Sequence, residues 1–326
     1  MACRVKEETL MQQWTPGNRG RRNRKKRIWK RTLVTVGAAM MVFGLIRLIA
    51  YGLDWASSRK TAQDLRDIYH GETDFEPVLP SEEPSPEPIE TPDPAAADVP
   101  VLTDLPVLPA IAYPDNPNLQ ISSRFKALQK ESKYIVGWLT LDKLLDEPVV
   151  QKDNVYFLTR DAKGKENVNG ALFLDAAVSL KTRPYTMIIY GHNMKSGAMF
   201  GSLRNFENSS YYHSSPFLTF DTMYETGRYV IFAIGNISTE EGVKNSVDFL
   251  ALLSSNVRQR QTAVSALLKA SMFTNTIDVQ PEDQLLLLVT CVEKDDERRV
   301  VASRRIRDGE DENELKTLVE RSRKKQ

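Results

Sequence analysis

The run TLVTVGAAMMVFGLIRLIAYGL, residues 32–53, constrains this chain more than any other feature, because it removes a whole segment from any water-soluble fold. It is apolar except for Arg47. As a helix rising ~1.5 Å per residue it spans about 33 Å, close to the ~30 Å hydrocarbon core of a bilayer. Arg47 lies near one end, where its stem can snorkel to the interface. The basic block GRRNRKKRIWKR ends at Arg31, directly before the run. Read alone, that block is a nucleic-acid patch or a localisation signal. Beside a membrane-length segment it marks the cytoplasmic side instead. The apolar region exceeds the ~7–15 residues usual in a cleaved signal peptide, and no A-x-A site follows it. The expectation is an uncleaved single-pass anchor, with everything after Leu53 outside the cell.

Overall charge is nearly balanced, 44 Lys and Arg against 43 Asp and Glu, which argues against a nucleic-acid binder. The two cysteines, Cys3 and Cys291, fall on opposite sides of the expected membrane. That excludes a disulfide scaffold and a CxxC metal pair. From about Gly71 to Asn118 the chain is rich in Pro and Glu and poor in large apolar residues, so it cannot bury enough surface to fold. The predicted organisation is a basic segment (1–31), an anchor (32–53), a polar, Pro-rich tether (54–118), one folded domain (119–308) and a charged tail (309–326). Asp54 to Tyr69 can continue as a short polar helix, and the tail can form a solvated one.

Within residues 119–308 short apolar runs alternate with turn signals such as Lys163-Gly164, Asn169-Gly170 and Thr226-Gly227. Strands are predicted at 135–141, 148–151, 155–158, 171–174, 187–190, 229–234, 285–290 and 300–306. Helices are predicted at 122–131 and, as one long element with apolar residues at helical spacing, 247–270. Many strands with few helices suggest a β-barrel rather than a doubly wound α/β sheet.

Two residues at strand ends carry the candidate chemistry. Met187-Ile188-Ile189-Tyr190 ends in Gly191-His192-Asn193, and alternation puts Ile188, Tyr190 and His192 on one face. Gly191 permits a bend or a close backbone approach. Leu285 to Thr290 ends in Cys291. Taken singly, a strand-end His is a structural residue and a lone Cys is a small buried hydrophobe. Against that, Cys291 closes its run, charged residues follow at once, and Arg298 and Arg299 open the next strand. A hairpin there can bring Arg298 alongside Cys291. A free thiol has a pKa of ~8.5, and a nearby cation favours its thiolate. An Arg can also donate to the oxyanion formed on attack at a carbonyl, and a His can protonate the leaving amine. Cys, His and Arg together form an apparatus for acyl transfer. Glu293, Asp295, Asp296 and Glu297 cluster, but their spacing matches no EF-hand loop, and they read as a solvated hairpin tip rather than a metal site.

Tyr190-Gly191-His192-Asn193, and Leu288-Val289-Thr290-Cys291 followed by Arg, resemble the sortases, class B in particular. Ile135-Val136-Gly137-Trp138-Leu139, Pro148-Val149-Val150-Gln151, Asn169 to Asp175 and Phe220 to Tyr224 are similar to that class as well. The resemblance covers roughly residues 119–308. It implies a mainly β fold, a closed sortase-type barrel with an N-terminal helix and a long helix before the Cys-bearing strand. It implies Cys291 as nucleophile, His192 as general acid/base and Arg298 as oxyanion or substrate stabiliser. Arg298 fits the class B pattern with Val300, Val301 and Arg304, although Arg299 then departs from a large apolar position. Arg299 is the second choice, and the two registers would turn opposite side chains toward the site. Val289 is a further departure, where many relatives carry a small polar residue.

The implied reaction is transpeptidation without a cofactor. Cys291 would attack the carbonyl after Thr in an NPxT-like C-terminal sorting motif of a secreted protein. The thioester would pass to an amine of a peptidoglycan precursor or, in a pilus-assembling enzyme, to a pilin lysine. A secreted cysteine peptidase and a non-catalytic membrane-tethered binding module are the competing readings.

Overall fold

The computed structural model describes residues 17–71, 107–238, 240, 242–291 and 297–325. The Pro-rich tract over 72–106 and the acidic hairpin tip over 292–296 lie outside these residues. The chain divides into two units, Met1–Leu53 and Asp54–Gln326. Helix α1 (Gly17–Gly71) contributes to both. In the first unit its apolar stretch is long enough to cross a membrane. Leu33, Met41, Phe43 and Leu48 are exposed there.

The second unit is built on a closed barrel. Its strands are β1 (Ile135–Leu141), β2 (Leu145–Val150), β3 (Leu172–Leu174), β4 (Thr186–Gly191), β5 (Phe217–Thr222), β6 (Thr226–Ser238), β7 (Leu285–Cys291) and β8 (Glu297–Arg305). They run in the order β1-β2-β3-β4-β7-β8-β6-β5. The expected barrel is present, and its strands explain why so many apolar residues stand in short runs. Side chains alternate across a strand, and here both faces are covered. Leu139, Leu141, Val149, Leu172 and Leu174 join one large core with β4, β6, β7 and β8. Trp138, Val150 and Phe173 face the other way and join a second cluster.

That second cluster is closed by helices. Helix α2 (Ser123–Glu131) is capped by Ser122, whose Oγ accepts from Phe125 N, and it buries Phe125 and Leu128 on one face. The part of α1 from Asp54 onward adds Leu65 and Tyr69. The Tyr69 ring stacks on Trp138 with centroids 4.2 Å apart and planes 5° apart. Such a pair is worth about 0.5–1.5 kcal/mol beyond its buried area. Residues 54–71, where a short polar helix was expected over Asp54 to Tyr69, are helical and pack against the barrel. The C-terminal segment is ordered too: α6 (Glu312–Glu320) buries Leu315 and Val319.

Three local expectations need correction. Residues 155–158 do not form a strand: Tyr156–Leu158 is a 3-10 turn. Asp153 Oδ1 accepts from the backbone N–H of both Val155 and Tyr156, which curls the chain before it can extend. The long helix at 247–270 is two, α4 (Phe249–Leu253) and α5 (Val257–Ala270), with α3 (Ser209–Ser214) preceding them in the chain. The break falls at Ser254-Ser255-Asn256, where Asn256 caps α5 by accepting from Gln259 N. Strand β5 was not anticipated; it pairs with β1 and β6 and closes the barrel.

Candidate active site

The barrel order sets β4 beside β7 and β7 beside β8. β4 and β7 are parallel, with Tyr190 opposite Val289 and Gly191 opposite Thr290. β7 and β8 are antiparallel, with Thr290 opposite Arg299 and Cys291 opposite Arg298. His192 follows Gly191, and Cys291 follows Thr290, so each stands one residue beyond the Gly191–Thr290 pair. Positions 192, 291 and 298 therefore occupy neighbouring places at one rim, on three adjacent strands.

Gly191 makes the approach of β4 possible. A Cβ there would lie 2.5 Å from Leu172 Cδ2 and 2.8 Å from Phe200 Cδ2. The chain then folds back, because Phe200 N donates to His192 O at 3.0 Å. His192 keeps partial exposure. Its Nε2 is 2.6 Å from the carbonyl oxygen of Leu158. A carbonyl can only accept, so Nε2 carries the proton, and Nδ1 is the nitrogen left for other partners.

The two arginines differ as adjacent strand residues must. Arg299 is 8% exposed, and its Nη2 donates to Glu207. Arg298 is partly exposed, with Nη1 donating to Glu297 O at 3.1 Å. Tyr190 lies within reach of the Arg298 charge. Burial, and then the Asp175 carboxylate that accepts from its hydroxyl at 2.9 Å, hold the Tyr190 phenol well above its ordinary range, while the Arg298 charge pulls it down. Val289, the departure from a small polar residue, is fully buried. Among the described residues no group of three His, Cys, Asp or Glu could hold a metal ion.

Two residues that lie against the His192 ring, Leu158 and Gly170, were not placed there by sequence reasoning. Leu158 acts through its main-chain oxygen, which no side-chain pattern reports. Gly170 has φ +62°, and a Cβ on it would lie 2.6 Å from Phe157 O and 3.1 Å from His192 Cδ2. The Asn169-Gly170 pair was legible as a turn, but its position beside the imidazole was not.

No family model matches this sequence. Sortase B of Listeria monocytogenes is 31% identical over 191 residues, which cover 56% of this chain and 73% of that protein. Sortase B of Staphylococcus aureus is 27% identical over 173 residues, covering 52% of this chain and 68% of that protein. Among solved structures, sortase B from B. anthracis in complex with AAEK2 superimposes with a TM-score of 0.57 at 25% identity, covering 78% of this chain and 97% of that one.

Proposed function

Because this chain belongs to the sortase B family, we propose that it is a membrane-anchored cysteine transpeptidase that uses Cys291, His192 and Arg298. The observation that supports this reading is the adjacency of the three positions across β4, β7 and β8.

In the proposed reaction Cys291 gives its thiol proton to His192 Nδ1, and the resulting thiolate adds to the carbonyl after Thr in an NPxT-like sorting motif. The new C–S bond places negative charge on the carbonyl oxygen, and the Arg298 guanidinium donates to it. His192 Nδ1 gives its proton to the leaving amide nitrogen, the C–N bond breaks, and a thioester remains. An acceptor amine then adds to the thioester carbonyl and loses its proton to His192. The thiolate departs, and the amide product leaves. The Nε2–H bond to the Leu158 carbonyl keeps the ring in the tautomer whose Nδ1 performs both transfers. A cell-wall precursor is the acceptor. In this reading residues 32–53 of α1 cross the membrane, with the preceding basic block in the cytoplasm. Both substrates then meet the enzyme at the outer membrane face.

The test is mass spectrometry of the purified ectodomain incubated with sorting peptides. The expected result is a thioester on Cys291, absent in Cys291→Ala, that triglycine converts to a peptide product. Hydrolysis with no aminolysis product would identify a peptidase instead. An adduct on no residue would remove the enzymatic reading.

A further inference from the structure

The His192 ring is oriented by a main-chain oxygen, and a main-chain oxygen is only as fixed as its segment. The segment from Phe157 to Ala171 closes on itself: Ala171 N donates to Phe157 O at 3.0 Å, Asn167 N to Thr159 O at 2.9 Å, and Gly170 N to Asn167 O at 3.1 Å. Asn167 Oδ1 also accepts from Asn169 N at 2.9 Å. This closed segment carries Leu158 at one end and Gly170, which lies against the His192 ring, at the other.

A second set of bonds ties the segment to α1. Asn167 Nδ2 donates to Asp54 O at 3.0 Å, and Asn169 Nδ2 donates to Ser58 Oγ at 3.1 Å. Thr61 Oγ1 donates to Asp161 Oδ2 at 3.4 Å. Asn167 and Asn169 are 5% and 2% exposed. Asn169 Oδ1 is buried with no partner among the described residues. A buried amide with an unmatched oxygen is costly. An apolar side chain would fill that place without the penalty, but it would leave the rotation and height of the helix unspecified. Directional bonds to a helix backbone and a helix hydroxyl specify both. The same helix anchors itself nearby through Leu65, in the cluster that includes Phe157 and Ala171.

We propose that the stretch of α1 from Asp54 to Thr61 is a brace that positions the His192 imidazole through Asn167, Asn169 and the Leu158 carbonyl, so that acyl transfer depends on the docking of this helix. The proposal rests on the reading of His192 as the general acid/base. Asn169 and Ser58 are positioning residues in it. The braced part follows directly on the membrane-length run within α1. A chain truncated beyond Gly71 would lose it entirely.

The experiment compares the full chain in detergent micelles with its Asn169→Ala and Ser58→Ala variants. Two readouts are taken: kcat and KM for acyl transfer from a sorting peptide to triglycine, and long-range 15N–1H spectra of the imidazoles. The His192 signals are assigned by substitution among the three histidines. Asn169→Ala is expected to lower kcat about ten-fold with KM within about two-fold, and to move the His192 ring off the Nε2–H tautomer. Ser58→Ala, on a partly exposed helix position, keeps the fold and shifts both readouts the same way by less. Unchanged kcat and an unchanged tautomer in both variants would overturn the brace. If Asn169→Ala does not fold, Ser58→Ala alone decides. If the wild-type chain transfers no acyl group, the proposed function falls, and the tautomer comparison still decides whether the helix orients the ring.

Discussion

Replacing Arg298 and Arg299 with alanine, one at a time, separates the chemistry of this rim from its architecture. The antiparallel register sets Arg298 opposite Cys291 and Arg299 opposite Thr290. If Arg298 donates to the oxyanion, its loss costs about 10²–10³ in kcat, or roughly 2.7–4 kcal/mol of transition-state stabilisation. Its side chain is partly exposed, so stability should hold to within about 0.5 kcal/mol. Arg299→Ala should do the reverse. Its partner Glu207 is 45% exposed, so solvent screening limits the ion pair to about 0–1 kcal/mol. Lost packing of the buried stem adds to this, while removal of the buried, unpartnered Nε subtracts from it. A net loss of about 1–2 kcal/mol follows. For a domain of this size each kcal/mol lowers Tm by about 2–4 °C, so a fall of roughly 2–8 °C is expected, with kcat changed less than about five-fold. Thioester formation followed by mass spectrometry, together with thermal unfolding of the same samples, measures both. If Arg299→Ala abolishes turnover while Arg298→Ala leaves it intact, the register argument is wrong.

Two further outcomes follow from buried charge. Burial pushes the Glu147 carboxyl up to about 7, with the Arg66 guanidinium opposing and Asp146 assisting. The folded state then holds this proton more tightly than the unfolded chain, so stability falls as pH rises from about 4.3 toward 7. Glu147→Gln should unfold at a higher Tm than wild type at pH 7.5, with a gap that closes near pH 5. A gap of constant size would show that Glu147 titrates normally. Arg260 is fully buried in α5 and donates to the carbonyls of Pro281, Leu252, Tyr185 and Asp283. Arg260→Met keeps much of the volume but strands these acceptors, at a cost of at least about 3 kcal/mol. That corresponds to a Tm lower by about 6–12 °C, and a shift below 2 °C would mean that water replaces the guanidinium.

The strands that bury both faces were legible because a doubly buried strand reads as a short apolar run, and Leu285 to Val289 could be little else. Cys291 and His192 were legible for the related reason that each ends such a run. The Val155–Leu158 stretch misled because its side chains suit a strand, whereas the hydrogen bonds from Asp153 decide the backbone. The helix break at Asn256 was masked by apolar spacing that continues on both sides of it. Two adjacent arginines leave the register open, and strand pairing sets Arg298 opposite Cys291 and Arg299 opposite Thr290. The contact between His192 and Leu158 was beyond reach, since it joins residues 34 apart through a main-chain atom.

The parallel neighbours β4 and β7 have a consequence for the order in which the protein comes into being. β7 inserts between β4 and β8, and β7 and β8 are delivered after every other strand of the barrel. In a chain made from its N-terminus, His192 is therefore synthesised well before Cys291, and β4 gains its β7 neighbour only at the end. Under the function proposed above, sulfur and ring would belong to separate stretches of polypeptide until that late closure, and a nascent chain would have no assembled means of acyl transfer.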